Sequence, residues 1–404
     1  MNYKVQNIYN KIKNKKATVA VPGSKSITAR ALLLATLAKG ESTLYNAQFS
    51  DDCAAFLECV KNLGIHCEVN GTTVKIEGCG GKLPVKSAKI NVRSAGTAAR
   101  FLTALLAFSD GEFFVDSSAQ MKKRPIQPLI DSLTAAGATV ISEGGTFPLT
   151  IRGTSNPSPE ITVDITKSSQ FLSALLISGV CAKRGVKLKT EGRHGLDYVN
   201  MTLDMMWSFG VTAEEKDGAY FVEGEYSAKK YDVEPDVSAA SYFYAANSIL
   251  GTEISVRGVT SHSMQGDVKF INLLKNFNGG KVDMSAFSDQ ALTLAAIAPY
   301  LDCPTHISGI EHVRGQECDR INAIVTNLTA MGIKCEEHPD GVTIYPGAPK
   351  PAKINTFGDH RVAMSFALTG LRADGIEIEN AEVVSKTFTD YFKVLDKLCN
   401  DLTK

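Results

Sequence analysis

The sequence predicts an α/β fold built from six copies of one unit and divided into two similar domains. Three observations predict it. A short polar cluster opens a run of Ala, Leu and other small apolar residues six times along the chain. Each run is followed by a second helical stretch, and five of these six stop at Gly or Asn-Gly. Short alternating strands then follow, several joined by Asn-Gly or Asp-Gly turns.

The first polar clusters are Gly23-Ser24-Lys25-Ser26 before ALLLATLA, Ser94-Ala95-Gly96-Thr97 before ARFLTALLAF, and Lys167-Ser168-Ser169-Gln170 before FLSALLISG. The later ones are Asp236-Val237-Ser238 before ASYFYAANSI, Ser288-Asp289-Gln290 before ALTLAAIA, and Gly358-Asp359-His360-Arg361 before VAMSFALTG. From Ser26 through Thr97, Ser169, Ser238 and Asp289 to Asp359 the spacings are 71, 72, 69, 51 and 70 residues. Ser, Thr, Asp and Gly ahead of an apolar run are N-cap chemistry, so each cluster is expected to start a helix. A helix start presents unpaired N–H groups and a partial positive charge, which suits anions. Six such starts aimed at one place would make a strong anion site.

The second helical stretches are expected at 51–63, 125–136, 198–209, 267–277, 319–331 and 388–399, with Pro125 at a helix N1 position. Gly64, Gly137, Gly210, Asn278-Gly279 and Gly332 end five of them as left-handed C-caps. Strands such as IHCEV, TVKIEG, AYFVEG and GVTIYPG follow, with turns expected at Asn70-Gly71, Asp217-Gly218 and Asp340-Gly341. The unit reads strand–helix–strand–helix–hairpin, and the short fourth unit is expected to lack its hairpin. The boundary between groups of three units falls near 225–233, in the polar stretch that ends at Pro235. A cleft between the halves is the expected substrate site.

At 404 residues the chain exceeds one ordinary core and suits two domains. Its 44% hydrophobic and 21% charged residues describe a globular protein, and a formal net charge of zero argues against a general nucleic-acid or membrane-surface role. Nine cysteines include no C-x-x-C pair, so reduced thiols in the cytoplasm are expected. The basic N-terminal segment has no apolar core of a signal peptide, and no apolar run is of bilayer length. No Walker loop or G-x-G-x-x-G is present, so nucleotide folds are not favoured, and the histidines show no metal spacing.

The candidate chemistry lies in the polar clusters. Ser26 and Arg30 share a helix face, and Lys25 lies beside the helix start; together they would grip a carboxylate or phosphate, or form an ordinary cap with solvated charges. Gly96 would admit a close ligand or simply make a turn, and Arg124 follows in a basic run. Ser168 and Ser169 suit phosphate oxygens, and Gln170 a hydroxyl. Asp289 is either a cap or a carboxylate that takes a hydroxyl proton, and Glu317 beside Arg320 could move protons near bound anions. Lys25, Arg124, Arg320, Arg361 and Lys386 recur at equivalent places in the repeats, which suggests small substrates carrying several negative charges.

These stretches resemble the 5-enolpyruvylshikimate-3-phosphate synthase family of enolpyruvyl transferases. The resemblance runs from Gly23 to Phe392 and is carried by PGSKSxxxR, the string from Ala95 to Arg100, SSQFLSALL, GDHR with the following Ala-Met, and SKTF with DYF. It implies two domains, each of three βαβαββ units forming an inside-out α/β barrel: residues 22–230, and 1–21 with 231–404. It implies transfer of the enolpyruvyl group of phosphoenolpyruvate to the 5-hydroxyl of shikimate 3-phosphate, by a cytoplasmic monomer with no cofactor. Lys25, Ser26, Arg30, Ser168, Ser169, Gln170 and Tyr198 would hold the shikimate phosphate. Gly96, Arg124, Arg320, Arg361 and Lys386 would hold phosphoenolpyruvate, which Lys25, also a catalytic residue, would touch as well, and Ser94 and Thr97 would contact substrate. Asp289 would be the base, and Glu317 would handle the methylene proton.

Departures from the family pattern fall on the acceptor side. The usual Lys before Glu317 is Gln316, the usual Asn four residues earlier is His312, and a usual Ser ahead of Tyr198 is Gly195. Ser94 replaces an Asn, and Phe101 a Pro or Leu. Arg193, His194, Lys167 or Arg93 is expected to make up lost acceptor contacts. Other readings are a paralogue with another phosphorylated acceptor, a UDP-amino-sugar enolpyruvyl transferase, and a non-catalytic anion binder. The second needs a reactive loop Cys that neither Cys53 nor Cys79 supplies, and the third leaves Asp289 and Glu317 without purpose.

Overall fold

The computed structural model describes residues 1–124 and 126–404. Twelve α-helices lie among the described residues: α1 (Lys25–Leu37), α2 (Asp51–Asn62), α3 (Gly96–Ala107), α4 (Gln127–Ala135), α5 (Gln170–Ser178), α6 (Leu196–Ser208), α7 (Val237–Leu250), α8 (Val268–Leu274), α9 (Ala291–Ile297), α10 (Arg320–Ala330), α11 (His360–Gly370) and α12 (Tyr391–Thr403). The odd-numbered helices follow the polar clusters. Every residue of α9 and α11 is buried, as is all of α3 except Thr97 and all of α5 except Gln170. A helix apolar all round must be enclosed by other elements. Accordingly α3 packs on α5, and α9 packs between α7 and α11. The even-numbered helices are one-sided; α12 buries Tyr391, Leu395, Leu398, Cys399 and Leu402, the helical spacing of a single face.

Sheets complete the units. Ser87–Asn91 runs parallel to Gly111–Asp116 across α3, and Gly111–Asp116 then pairs antiparallel with Leu149–Gly153, the second arm of a hairpin with Thr139–Ser142. The same order and strand sense recur in the sheets that contain Glu160–Asp164, Lys39–Tyr45 and Gly280–Asp283. A three-stranded sheet joins Tyr3–Lys4, Ile376–Ile378 and Ala352–Ile354, and a pair joins Lys16–Val19 to Glu253–Val256. The fourth unit passes from α8 to Gly280–Asp283, which begins the next sheet, with no hairpin between them.

The chain forms two compact units, one of Met1–Pro22 with Pro235–Lys404 and one of Gly23–Glu234. The second break lies four residues beyond the expected 230/231. The reason is that Lys230–Asp232 pairs parallel with Thr43–Tyr45 and supplies the outer strand of the first unit's sheet.

Helix ends follow the sequence more closely than helix starts. Gly64, Gly137, Gly210 and Gly332 have positive φ just past their helices, as left-handed C-caps require, whereas α8 ends at Leu274, ahead of the expected stop at Asn278-Gly279. Of the six expected side-chain caps, three form: Ser24 accepts from Ile27 N, Asp236 from Ala239 N, and Asp359 from Arg361 N. The starts of α3, α5 and α9 carry none. Ala95 has no acceptor, while Ser169 and Gln290 take helical φ/ψ, which turns a side chain away from the first-turn N–H groups. The expected N1 role of Pro125 lies outside the described residues.

The expected turn at Asp340-Gly341 is shifted. Pro339 and Asp340 connect the strands, and Gly341 pairs with His338 as the first residue of the second strand. A Cβ at Gly341 would sit 1.9 Å from the carbonyl oxygen of Ile307. The glycine therefore answers to close strand approach, not to a left-handed turn. Gly341→Ala is expected to lower unfolding stability by about 1–3 kcal/mol, measured by urea denaturation; an unchanged midpoint would contradict this.

Candidate active site

Within the unit of residues 23–234, polar side chains collect at the starts of α1, α3 and α5. Lys25 opens α1, and its Nζ lies 3.5 Å from Asp52 Oδ2. Both line a small pocket with Gln48, Cys53, Thr97 and Ala98, which brings the starts of α1 and α3 together. The Nε2 of Gln48 in that wall is buried and takes no hydrogen-bond partner among the described residues. At the start of α3, Ser94 Oγ bonds Ser118 Oγ at 2.9 Å. A Cβ on Gly96 would fall 2.7 Å from Arg124 Nη1. Glycine therefore lets the Arg124 guanidinium lie against this uncapped helix start, which joins two of the expected residues.

At the start of α5, Ser168 Oγ accepts from Gln170 N at 3.3 Å. Gly195, the left-handed residue ahead of α6, packs on Ser169: a Cβ there would be 2.7 Å from Ser169 Oγ. That contact and the φ of +57° account for glycine at this departure from the family pattern.

Arg30, expected at the acceptor, is held by protein partners. It is buried, and its guanidinium donates to Thr202 Oγ1 at 2.8 Å, Ser26 O at 3.0 Å, Tyr198 O at 3.0 Å and Ser173 Oγ at 3.4 Å. It also faces the rings of Phe101, at 5.5 Å, and Tyr198. Burial pulls its pKa down to about 10, with Tyr198 working the other way. Arg30 thus ties α1 to α5 and α6. Tyr198 takes part through its backbone carbonyl and its ring. Of the residues expected to make up acceptor contacts, Arg93 is exposed and paired with Glu58.

Within the unit of residues 1–22 and 235–404, a charged network joins the starts of α9, α10 and α11. Asp289 receives Arg320 Nη1 on Oδ1 and Arg361 Nη2 on Oδ2, each at 2.9 Å. Arg320 Nε also donates to Asp359 Oδ2 at 2.8 Å, and its Nη1 to Gln316 Oε1. Lys386 Nζ meets Glu317 Oε2 at 2.6 Å, both side chains about nine-tenths buried. His312 Nε2 bonds Ser288 Oγ at 2.8 Å, beside Asp289. Asp289, expected as a cap or a base, makes no helix cap.

Asp359 is both the cap of α11 and the inner partner of Arg320, with its side chain fully buried. Burial works against the Arg320 charge, but Asp359 and Asp289 outweigh it and hold the guanidinium above its ordinary value. Asp319, in the same charged string, caps α10 and pairs with Arg314, a structural role.

Sequence reasoning missed Asp52 and Asp267. Each lies at the beginning of a second helix, where an acidic residue reads as ordinary helix-start chemistry. Asp267 is buried and accepts from Ser238 Oγ at the start of α7. Burial first, then Asp289, push its pKa up from 3.8 to about 6, against the Ser238 hydrogen bond and Arg361. Among the described residues no group of His, Cys, Asp and Glu could hold a metal ion, and no helix is long and apolar enough to cross a membrane. All nine cysteines are unpaired.

A raised folded-state pKa means that the native state holds a proton the unfolded chain has released. The contribution of Asp267 is therefore fully present below pH 3.8 and lost as pH rises through 6, a difference of about 3 kcal/mol. Asp267→Asn is expected to raise the Tm at pH 7.5 and to leave it nearly unchanged at pH 4. A difference independent of pH in calorimetry would refute that.

The chain matches the family model described as EPSP synthase (3-phosphoshikimate 1-carboxyvinyltransferase) over residues 9–395. It is 41% identical over 403 residues to the 3-phosphoshikimate 1-carboxyvinyltransferase of Trichormus variabilis, covering 93% of this chain and 95% of that protein. It is 35% identical over 412 residues to the 3-phosphoshikimate 1-carboxyvinyltransferase 2 of Halalkalibacterium halodurans, covering 94% and 91%. The crystallised EPSP synthase of Acinetobacter baumannii shares the fold, with a TM-score of 0.82, 22% identity and 98% of each chain covered.

Proposed function

The chain belongs to the EPSP synthase family, and on that footing we propose that it transfers the enolpyruvyl group of phosphoenolpyruvate to the 5-hydroxyl of shikimate 3-phosphate, releasing phosphate. The observation that carries the reading is the joint placement of two carboxylates among cations: Asp289 between Arg320 and Arg361, and Glu317 on Lys386. A site that only held anions would gain nothing from these carboxylates.

Arg320, Arg361, Lys386, Arg124 and Gly96 bind phosphoenolpyruvate. Lys25, Ser26, Ser168, Ser169 and Gln170 bind the phosphorylated acceptor. His312 and Gln316 lie on the acceptor side, and Arg30 supports the acceptor set from behind through Tyr198. The uncapped starts of α3 and α5 add backbone N–H groups to the anion set.

In the addition step the 5-oxygen bonds to C2 of phosphoenolpyruvate. Its proton passes to Asp289, while Glu317 gives a proton to C3. Before this step ligand anions take over the cations that Asp289 and Glu317 hold, which leaves Asp289 free to accept a proton and lets Glu317 take up from water the proton it gives to C3. The cations stabilise the negative tetrahedral intermediate. In the elimination step the methyl group returns its proton to Glu317. The C2–O bond to phosphate breaks, and phosphate leaves with the electron pair and the proton held on Asp289. The same reading keeps the chain a monomer in the cytoplasm, where unpaired cysteines stay reduced.

Phosphate release from phosphoenolpyruvate and shikimate 3-phosphate tests the reading directly. Turnover is expected; binding without turnover would replace it with an anion-binding role. Glu317→Gln is expected to cut kcat by roughly 10²–10⁴-fold while changing either KM little, and near-normal kcat would remove Glu317 from the chemistry.

A further inference from the structure

Asp267 is the one buried carboxylate of this network whose protein partner is a hydroxyl instead of a cation or a helix cap. Its Oδ2 accepts from Ser238 Oγ, on the first turn of α7. That turn is pinned to the segment before α8 by two more bonds: Val237 N donates to Gln265 Oε1 at 3.0 Å, and Gln265 Nε2 to Pro235 O at 2.9 Å. The next turn of α7 reaches the base. Ser241 Oγ lies within hydrogen-bond distance of Ser238 O, at 2.7 Å, and of the side chain of Gln290, the residue after Asp289. Gln290 Oε1 is held further by Thr293 Oγ1 at 3.3 Å. The start of α7 therefore meets Asp267 on one side and Gln290, the neighbour of Asp289, on the other.

The charges facing Asp267 come from each element around it. Asp236 lies at the start of α7, Asp289 lies on the 3-10 segment Ser285–Gln290, and Arg361 lies on α11. Arg361 is shared, since it ion-pairs with Asp289 and also acts on Asp267.

A hydrogen bond to Ser238 alone does not require a carboxylate. An Asn would accept the same bond without the cost of burying a charge. The charge therefore does something the bond does not. Asp289 sits between two guanidiniums, and opposite charges weaken a base by favouring its ionised form. A second carboxylate nearby works in the other direction.

We infer that Asp267 is a positioning residue for the proton transfer: through the start of α7 and the shared Arg361, its negative charge keeps Asp289 basic enough to take the acceptor hydroxyl proton. The inference rests on Asp289 being the base of the reaction above.

The test is the pH dependence of phosphate release from 5 to 9 for wild type, Asp267→Asn and Ser238→Ala, with melting curves to establish folding. For Asp267→Asn, kcat is expected to fall about tenfold. The acid limb of kcat/KM is expected to move to lower pH, since the base has lost its negative neighbour, and both KM values to stay within about twofold. A purely structural role would shift the Tm and leave that limb in place. Ser238→Ala removes the one hydrogen bond that favours the Asp267 charge, so its rate is expected to fall at pH 6 and recover by pH 8. It decides the matter should Asp267→Asn not fold.

A folded Asp267→Asn with wild-type kcat and limb overturns the inference, as does a Ser238→Ala profile that superimposes on wild type. Inactive wild type overturns the functional reading, and this inference with it. Active wild type beside an unperturbed variant overturns the inference alone.

Discussion

Helices rich in Ala, Leu, Ser and Thr, buried on every side, impose the constraint from which the other features follow. A helix such as α9 or α11, with every residue buried, cannot present a side face to water. Its polar groups must be hydrogen-bonded internally or placed at its ends. The internal option is taken by small hydroxyls: Thr293 meets Ser365 and Gln290 between α9 and α11. The remaining option concentrates charge at the helix starts, where backbone N–H groups lack partners. That is why chemistry-bearing residues cluster there, and why sheets with one exposed face can form the outer layer.

The charged network is balanced instead of simply cationic. Arg320 is satisfied by Asp359 from within and Asp289 from without. A fully buried guanidinium without that inner carboxylate would be strongly destabilising. Asp359 is a structural partner in this sense, and Asp289 is the partner that can be exchanged. Arg30 follows another solution, with four neutral acceptors around one buried charge. It remains protonated at neutral pH, and its charge is dispersed over two carbonyls, two hydroxyls and flanking rings.

Much of this was legible in the sequence, because period and punctuation are local properties. The glycines that end α2, α4, α6 and α10, the short fourth unit and the recurrence of polar starts are read from neighbouring residues. The charged string around Glu317 and the string ending in Lys386 could be named as candidates, though not paired: they lie 69 residues apart. What stayed hidden depends on distant packing. The partners that hold Arg30, Thr202 and Tyr198, lie some 170 positions away. Asp267 looks like a helix start until Ser238, 29 residues earlier, is found on it. Gly341 looks like a turn residue until the Ile307 carbonyl is found where its side chain would be.

The order in which strands find their partners bears on biosynthesis. Residues 23–234 are continuous, so this unit has all its strands once Lys230–Asp232 has emerged from the ribosome. The opening segment is in a different position. Lys16–Val19 waits for Glu253–Val256, and Tyr3–Lys4 for Ile376–Ile378. At about 5–20 residues per second, the first strand is exposed without its partner for tens of seconds. Its shortness and the lysines scattered through the first 16 residues suit that delay, since short, charged edges resist pairing with the wrong neighbour.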